Sequence, residues 1–195
     1  MLKKATKDLN KYVQLILRVY MKRAIIVADM LNDFVTGKLG SVRAQKIVPN
    51  IANLSKKARK EGIPIIYLRD VHTSTDREMK IWGEHAMKGT KGSEIIPELR
   101  PESTDIVIEK KWYGGFANTD LPEILKKKGI DTLIFTGVST DICIQNDVAL
   151  AYFSGYDTIV LSDCTASIDE EAHEYALRYM KNIYGTEITT SDKVL

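Results

Sequence analysis

Three side chains that could act together in covalent catalysis each follow an apolar run of this sequence. They are the carboxyl group of Asp29, the amino group of Lys110 and the thiol of Cys143. A carboxylate can act as a base, a thiol as a nucleophile, and an ammonium group can favour the thiolate. Each also has a structural interpretation, because Asp29 could cap a turn, Lys110 could be solvated beside Lys111, and Cys143 could be a core residue. The set predicts nucleophilic catalysis if the fold brings the three together.

The cysteine lies in the segment Gly137–Cys143, between an apolar run and a segment with helical periodicity from Ile144 to Ser154. This order predicts a strand, a tight turn and a helix, with the thiol near the start of the helix. Unpaired N–H groups and the positive end of the helix dipole lie there. They could lower the pKa of the thiol and could also hold an oxyanion. The other interpretation, a buried structural cysteine, is the usual state of a free cysteine.

Predicted strands alternate with predicted helices along the chain. The strands are predicted at 23–28, 63–68, 105–109, 132–136, 156–161 and 187–190, and the helices at 42–60, 121–128, 144–154 and 170–183. This alternation predicts an α/β fold, with a doubly wound, mainly parallel sheet of five or six strands and helices on both faces. In such sheets ligands bind beyond the carboxyl ends of the strands. The predicted elements therefore place the three side chains at one edge of the sheet.

Smaller features refine these predictions. Pro49 falls within a predicted helix and suggests a kink or a new start, while Gly62 is expected to end that helix. Asp163 and Ser167, after the fifth strand, are expected to be turn and helix-cap residues, and Cys164 is expected in the core. The long polar stretch 73–101 is typical of a functional loop.

Length and composition exclude several classes of function. A chain of 195 residues is expected to form one domain, which we assign to residues 21–195. Residues 1–20 are predicted to be a basic, amphipathic N-terminal extension that packs on its own domain or on a neighbouring subunit; alternatively, Met21 is the natural start. A net charge of +2 argues against nucleic-acid binding, and no apolar run is long enough to span a membrane. The two cysteines provide no disulfide framework, which indicates the cytoplasm.

Four motifs occur in order along the chain and together identify a resemblance. They are Asp29-Met-Leu-Asn-Asp-Phe34, Trp82-Gly-Glu-His-Ala-Met-Lys-Gly-Thr90, Lys110-Lys-Trp-Tyr-Gly-Gly-Phe116 and Gly137-Val-Ser-Thr-Asp-Ile-Cys-Ile144. These resemble the Asp-x-x-Asn-Asp-Phe, Trp-x-x-His, Lys-x-x-Tyr-Ser-Ala-Phe and Gly-Val-x-Thr-x-x-Cys-Val motifs of the isochorismatase-like cysteine hydrolases. That superfamily includes nicotinamidases and N-carbamoylsarcosine amidases. The resemblance runs from residue 22 to about residue 190.

The resemblance implies a catalytic triad of Asp29, Lys110 and Cys143. It also implies a cis peptide between Val138 and Ser139, which would aim the N–H groups of Ser139 and Cys143 at a developing oxyanion. The implied reaction is hydrolysis of a C–N bond in a small amide through a thioester. A small-molecule amide is therefore the expected partner, and we expect a homo-oligomer because members of the superfamily usually associate.

The resemblance further implies which residues form the substrate pocket. Phe34, Trp82 and Tyr113 are the expected aromatic residues of the pocket. The Gly114–Gly115 pair departs from the family's Ser-Ala. The resemblance therefore predicts the role of Lys110 but not the conformation of the turn that follows it.

A possible metal site is implied at Asp70, His72 and His85, where nicotinamidases bind a metal such as zinc. The sequence departs from the nicotinamidase pattern because Thr73 replaces a proline and the interval from His72 to His85 is short. The alternative is that His85 forms a hydrogen bond within its loop while His72 lies at the rim of the site. The triad chemistry itself requires no cofactor.

The sequence bears on three competing functions. A dinucleotide-binding domain is disfavoured because no Gly-x-Gly-x-x-Gly occurs between Asp29 and Gly40. An isochorismatase-type hydrolase of another small substrate is disfavoured by the cysteine at position 143. A catalytically silent binding protein of the same fold stays open, and the reactivity of the thiol would distinguish it from an enzyme.

Overall fold

Six strands and seven α-helices alternate along residues 22–195, the part of the chain that the computed structural model describes. The strands are β1 (Arg23–Ala28), β2 (Ile65–Asp70), β3 (Ile106–Lys110), β4 (Thr132–Val138), β5 (Asp157–Ala166) and β6 (Glu187–Thr189). The helices are α1 (Asn32–Val35), α2 (Val42–Glu61), α3 (Met79–Trp82), α4 (Leu121–Lys128), α5 (Gln145–Phe153), α6 (Glu170–Tyr184) and α7 (Ser191–Val194). The predicted N-terminal extension, residues 1–20, lies outside the described residues.

All six strands are parallel and lie in the order β3-β2-β1-β4-β5-β6. The described part of the chain starts at the centre of the sheet with β1, winds outward to β3, and then returns to the centre to wind the other way from β4 to β6. This topology confirms the predicted doubly wound α/β fold. The direction of winding reverses between β1 and β4, and a crevice for ligands is expected beyond the carboxyl ends of these two strands.

Helices cover both faces of the sheet because the central strands are apolar on both sides. Ile25 and Val27 of β1 pack in one core with α2, whereas Ala24 and Ile26 pack in a second core with α4, α5 and α6. A strand buried on both faces appears in the sequence as a continuous apolar run. The two cores hold the ends of β1 and β4 rigidly, so side chains placed there have fixed positions.

Several predicted boundaries were wrong by a few residues. β2 and β3 each extend to the polar residue that was expected after them, because Asp70 and Lys110 pair with each other in the sheet. A second helix does not start at Pro49, since α2 runs through it and ends at Gly62, which adopts the expected left-handed conformation (φ +69°). Among the described residues, no helix has the length and apolar character needed to cross a membrane.

The largest difference concerns β5, which continues five residues beyond its predicted end. A register shift lets Gly137 and Val138 of β4 pair with Thr165 and Ala166. Asp163 therefore lies within a strand rather than in a turn. Its carboxylate still caps a helix, because it accepts hydrogen bonds from the N–H (2.8 Å) and Oγ (2.6 Å) of Ser191 at the start of α7. Cys164 is fully buried, as predicted.

Candidate active site

Asp29, Lys110 and Cys143 meet at the carboxyl edge of the sheet, beside the point where the winding reverses. The Nζ atom of Lys110 lies 2.7 Å from Asp29 Oδ2 and 3.9 Å from Cys143 Sγ. The three residues are 1%, 2% and 7% exposed. Because β3 is separated from β1 by β2, only a long side chain on β3 can reach Asp29. The structure thus brings together the three residues that the sequence singled out.

The backbone conformation of Asp29 directs its side chain into this cluster. Asp29 follows β1 directly and has a φ of +55°, in the left-handed region that few residues other than glycine adopt. Its Oδ1 accepts a hydrogen bond from the N–H of Asp70 at 3.0 Å. This bond fixes the orientation of the carboxyl group, so that Oδ2 faces Lys110. Such backbone outliers are concentrated at functional sites.

Cys143 lies in a π-helical turn, Thr140–Ile144, that precedes α5. The sequence predicted a direct passage from a tight turn into an α-helix, and this extra wide turn is a correction to that prediction. The peptide bond between Val138 and Ser139 is cis, as the resemblance implied. The Ser139 hydroxyl donates to Asp141 Oδ1 at 2.6 Å. Since the hydroxyl is engaged, any contribution of Ser139 to an oxyanion site comes from its backbone N–H.

Burial dominates the electrostatics of the cluster. It raises the pKa of the Cys143 thiol well above its ordinary value, although the charge of Lys110 opposes this shift. The low-pKa thiolate that a helix start favours is therefore not the resting state. Burial, aided by the charge of Asp70, also raises the pKa of Asp29 to about 6. Burial disfavours the Lys110 ammonium, but the carboxylates of Asp29 and Asp70 outweigh it and raise the Lys110 pKa well above its ordinary value.

A second cluster of buried ligand-type side chains lies next to the first. Asp70, His72, Glu78 and His85 each offer one ligand atom, and these atoms lie within 4.8 Å of one another. The Nε2 atoms of both histidines lie 3.8 Å from Glu78 Oε2, and His72 Nε2 has no hydrogen-bond partner among the described residues. His72 is fully buried, so the alternative that places it at the rim is wrong.

The Nδ1 atoms of the two histidines, which point away from the cluster, have hydrogen-bond partners like those of metal-binding imidazoles. His72 Nδ1 lies 3.3 Å from Asp76 Oδ2, and His85 Nδ1 lies 2.8 Å from the Gly83 carbonyl oxygen. Such partners orient a histidine so that its other nitrogen can bind a metal. Two imidazoles and two carboxylates form a donor set suited to zinc. The residues present therefore fit the metal that the resemblance implied.

Glu78 was not predicted from the sequence. It lies in the polar stretch 73–101 among other acidic residues, and nothing in its spacing distinguishes it from Asp76 or Glu84. Only the fold of α3, which turns the loop back over the end of β2, places Glu78 between the two histidines. The same turn brings His85 to His72 despite their short separation in sequence, with ring centroids 4.8 Å apart.

Asp70 belongs to both clusters. Its Oδ1 accepts a hydrogen bond from Lys110 Nζ at 2.6 Å, and its Oδ2 lies 3.6 Å from His72 Nε2. Burial disfavours the carboxylate, but Lys110 and His72 outweigh this effect and lower the pKa of Asp70. One ionised side chain thus joins the candidate triad to the candidate metal site.

A cavity opens onto Cys143 between these clusters and the neighbouring loops. The aromatic residues expected there, Phe34, Trp82 and Tyr113, all line it, and the indole N–H of Trp82 donates to the Tyr113 hydroxyl at 3.0 Å. This hydrogen bond joins the loop after β2 to the loop after β3 across the cavity. Other lining residues are Leu39, Ser41, Ala44, Ile142, Ala166, Ser167 and Ile168.

Comparisons with known proteins find the same fold in solved structures. An N-carbamoylsarcosine amidase from Thermoplasma acidophilum is 39% identical, with a TM-score of 0.83 over 88% of this chain and 98% of that chain. A pyrazinamidase/nicotinamidase from Streptococcus mutans UA159 is 33% identical, with a TM-score of 0.81 over 85% of this chain and 99% of its own. The zinc complex of a pyrazinamidase from Pyrococcus horikoshii is 28% identical, with a TM-score of 0.81 over 87% of this chain and 99% of that one.

The family assignment rests on nearly the whole described chain. The sequence pattern of the Isochorismatase domain matches residues 23–192, a span that contains all six strands and every residue of the two clusters. The chain therefore belongs to the isochorismatase family of hydrolases.

Proposed function

We propose that this protein is a cysteine amidase that hydrolyses a small, uncharged amide through a thioester. The observation that carries the proposal is the position of Lys110, whose Nζ lies 2.7 Å from Asp29 Oδ2 and 3.9 Å from Cys143 Sγ beside an open cavity. A base, a cation and a nucleophile within this distance suffice for acyl transfer.

In the first half of the reaction, Asp29 takes the proton of the Cys143 thiol as the sulfur attacks the amide carbon. Because the thiol is protonated at rest, proton transfer and attack occur together, and Lys110 stabilises the negative charge on sulfur. The backbone N–H groups of Ser139 and Cys143 would hold the oxyanion. The C–N bond then breaks, and ammonia leaves with the proton that Asp29 returns.

In the second half, water replaces ammonia. Asp29 takes a proton from the water as its oxygen attacks the thioester carbon. The C–S bond breaks, the carboxylic acid is released, and the proton returns to the Cys143 thiolate. The enzyme is restored, with one water consumed for each amide hydrolysed.

Asp70, His72, Glu78 and His85 would hold a zinc ion at the side of the cavity. When bound, the metal would supply a coordination position for a nitrogen or oxygen atom of the substrate. His85 and Phe34 lie against each other, with ring centroids 5.7 Å apart, and they form an aromatic wall beside that position. The chemical step itself relies on Asp29, Lys110 and Cys143.

The charge of the cavity supports an uncharged substrate. Besides Cys143 and Tyr113, its ionisable lining residues are Asp29, Asp70, Glu78 and His85, and no lysine or arginine of the described residues lines it. Together, Asp29, Asp70 and Glu78 balance the charges of Lys110 and of the zinc ion that would be bound, so a substrate carboxylate would be buried without a charge left to compensate it, which costs several kcal/mol. A heteroaromatic amide of the nicotinamide type avoids this cost and can pack on Phe34 and Trp82.

An N-carbamoyl amidase is the second candidate, and the 39% identity to an N-carbamoylsarcosine amidase favours it. The two candidates differ in the charge of the substrate. Ammonia release is measured with zinc-loaded protein on nicotinamide, N-carbamoylsarcosine and the uncharged methyl ester of N-carbamoylsarcosine. We expect kcat/KM for nicotinamide to exceed that for the anionic substrate by about 100-fold or more. A preference for the anion over its ester would instead identify an N-carbamoyl amidase.

The two cysteines provide a matched control for the mechanism. Cys143→Ala is expected to abolish ammonia release, whereas Cys164→Ala alters a buried residue away from the cavity and is expected to retain it. Iodoacetamide is expected to modify Cys143 alone, because Cys143 borders the cavity and Asp29 can take its proton during alkylation, whereas Cys164 is fully buried away from it. Full activity in Cys143→Ala would refute the proposal, and an unreactive Cys143 without turnover of any amide would favour a silent binding protein.

A further inference from the structure

One buried carboxyl group outside the two clusters lacks a partner for one of its oxygens. Asp147 lies on α5, one helical turn after Cys143, and is fully buried. Its Oδ1 accepts a hydrogen bond from the Gly115 N–H at 2.6 Å, while its Oδ2 has no hydrogen-bond partner among the described residues. Burying a polar oxygen without a partner costs free energy. A side chain that carries this cost beside an active site points to a role beyond packing.

The glycine turn that departs from the family's Ser-Ala pattern packs directly against this helix. A Cβ atom on Gly114 would lie 2.5 Å from Leu150 Cδ1 and 3.4 Å from Asp147 Oδ1, and one on Gly115 would lie 2.5 Å from Leu68 Cδ1. A serine or an alanine would therefore require the side chains of Leu150 and Leu68 to move. The two glycines allow the backbone to approach α5 closely enough for the Gly115 N–H to reach Asp147.

This hydrogen bond connects two parts of the candidate active site. On one side, the segment that leads to Gly115 begins with Lys110 and includes Tyr113, which lines the cavity and holds Trp82. On the other side, α5 follows the turn that carries Cys143. Without the bond, the strand that carries the ammonium and the helix behind the nucleophile would be joined by apolar contacts alone at this point.

We propose that Asp147 is a positioning residue of the amidase site. Its carboxyl group accepts the Gly115 N–H and so fixes the distance between the Lys110–Gly115 segment and the helix that follows Cys143. Asp147 touches neither the substrate nor the reacting atoms. This inference rests on the proposed function for its kinetic consequences.

The environment of Asp147 supports this role. Burial raises its pKa to about 7, with a further rise from Asp29 and Asp70 and an opposing effect of Lys110 and of the Gly115 hydrogen bond. These are the charged groups that face it from the ends of β1, β2 and β3. In the protonated carboxyl group the unpaired Oδ2 carries the proton, and Oδ1 remains the acceptor for Gly115. An asparagine can reproduce the acceptor without the charge.

Three variants test the proposal. Asp147→Ala removes the acceptor, Asp147→Asn keeps it, and Val148→Ala removes buried volume from the next residue of α5 without touching the glycine turn. We expect Asp147→Ala to lower kcat for ammonia release and the rate of Cys143 alkylation by about tenfold or more, since small displacements of catalytic groups have large effects. Asp147→Asn is expected to retain most of both rates, and Val148→Ala is expected to retain both despite a lower melting temperature.

A second measurement keeps the test decisive if Asp147→Ala does not fold. In nitrogen-15 NMR spectra, the Gly115 amide resonance is expected to shift with a midpoint near pH 7 in the wild type and in Val148→Ala, and not in Asp147→Asn. Equal rates in folded Asp147→Ala and Val148→Ala would overturn the proposal, as would a wild-type Gly115 resonance that responds at no pH at which the protein is folded, since that amide would then not be bonded to a carboxyl group. Alkylation and NMR need no substrate, so they also test it if the wild type hydrolyses none of the amides.

Discussion

Lys110 places one positive charge between two buried carboxylates and a thiol. Its Nζ is 2.7 Å from Asp29 and 2.6 Å from Asp70, so two negative charges surround it before the thiol loses its proton. A Cys143 thiolate would place a third negative charge beside this single ammonium group. Burial is the main cause of the raised pKa of the Cys143 thiol, and this imbalance adds to it, so Asp29 must receive the thiol proton during the attack.

The pH dependence of activity follows from Asp29. A base must be ionised before it can accept the thiol proton, and burial raises the pKa of Asp29 to about 6. We expect kcat/KM to rise with pH through about 6 and to fall about tenfold per pH unit well below that value. A pH–rate profile of the wild type measures this directly. An acidic limb centred near pH 4, the ordinary range of an aspartate, would contradict it.

Substitution of Glu78 is the most direct test of the metal site. Both histidine Nε2 atoms lie 3.8 Å from its carboxylate, whereas Glu84 of the same loop is exposed. We expect wild-type protein that is incubated with Zn²⁺ and desalted to retain about one zinc per chain, and Glu78→Gln to bind it at least about tenfold more weakly. Glu84→Gln is the matched control and is expected to bind as the wild type does. Elemental analysis that finds no zinc in the wild type would refute the site.

At the level of elements, the close approach of β1 and β4 is what places Asp29 beside the nucleophile turn. Gly137, at the end of β4, has a φ of +110°, and a Cβ atom there would lie 2.0 Å from the Ala28 carbonyl oxygen. Ala28 is the residue immediately before Asp29. Any side chain at position 137 must therefore push the two strand ends apart.

Gly137→Ala is expected to prevent folding or to lower the free energy of unfolding by about 3 kcal/mol or more, because it combines a backbone collision with an unfavourable φ. Gly155→Ala is the matched control. Gly155 also has a positive φ, +84°, but nothing lies within 4 Å of the added Cβ, so we expect a loss of only about 1 kcal/mol. Urea denaturation measures both, and equal losses would show that the approach of the strands is not the constraint.

The sequence predicted the elements and the triad because both depend on local patterns. Asp29, Lys110 and Cys143 each follow an apolar run, which placed them at one edge of a parallel sheet, and the resemblance to the family then implied that they form a triad. The full length of β5 was missed because it depends on a register shift in β4. Asp147 was missed because its hydrogen-bond partner, the Gly115 N–H, lies more than thirty residues earlier in the chain. Contacts between distant segments leave no periodic pattern in the sequence.

At the scale of the whole molecule, the described chain holds charged groups in its interior at one end of an otherwise apolar sheet. Asp29, Asp70, Lys110 and Asp147 are all buried there. The expected homo-oligomer stays a prediction, which sedimentation of the full chain can test. The buried acids have a consequence that does not depend on assembly, because each one whose pKa is shifted links folding to pH.

The contributions of Asp29 and Asp147 to the stability of the fold are therefore expected to decrease between pH 4 and pH 7. Asp29 and Asp147 have raised pKa values, about 6 and about 7 in the folded protein against 3.8 for an ordinary aspartate. In this window the unfolded chain releases protons that Asp29 and Asp147 retain in the folded chain. The contribution of these two residues to the free energy of unfolding is therefore complete below pH 4 and is lost as the pH rises. Each group contributes at most about 1.4 kcal/mol per pH unit. Asp76 acts in the opposite direction at lower pH, because hydrogen bonds from Thr73 lower its pKa to about 2 and its contribution is lost as the pH falls below 4.

Comparison of the wild type with Asp147→Asn isolates one of these contributions. The asparagine does not ionise, so we expect the wild type to lose unfolding free energy relative to this variant from pH 4 to pH 7, by up to about 4 kcal/mol. Urea denaturation of metal-free protein at several pH values measures the difference. Val148→Ala is the control: its titratable groups are unchanged, so its free energy of unfolding is expected to vary with pH as that of the wild type does. A difference between wild type and Asp147→Asn that stays constant with pH would mean that Asp147 is already ionised in the folded state, with its charge compensated at neutral pH.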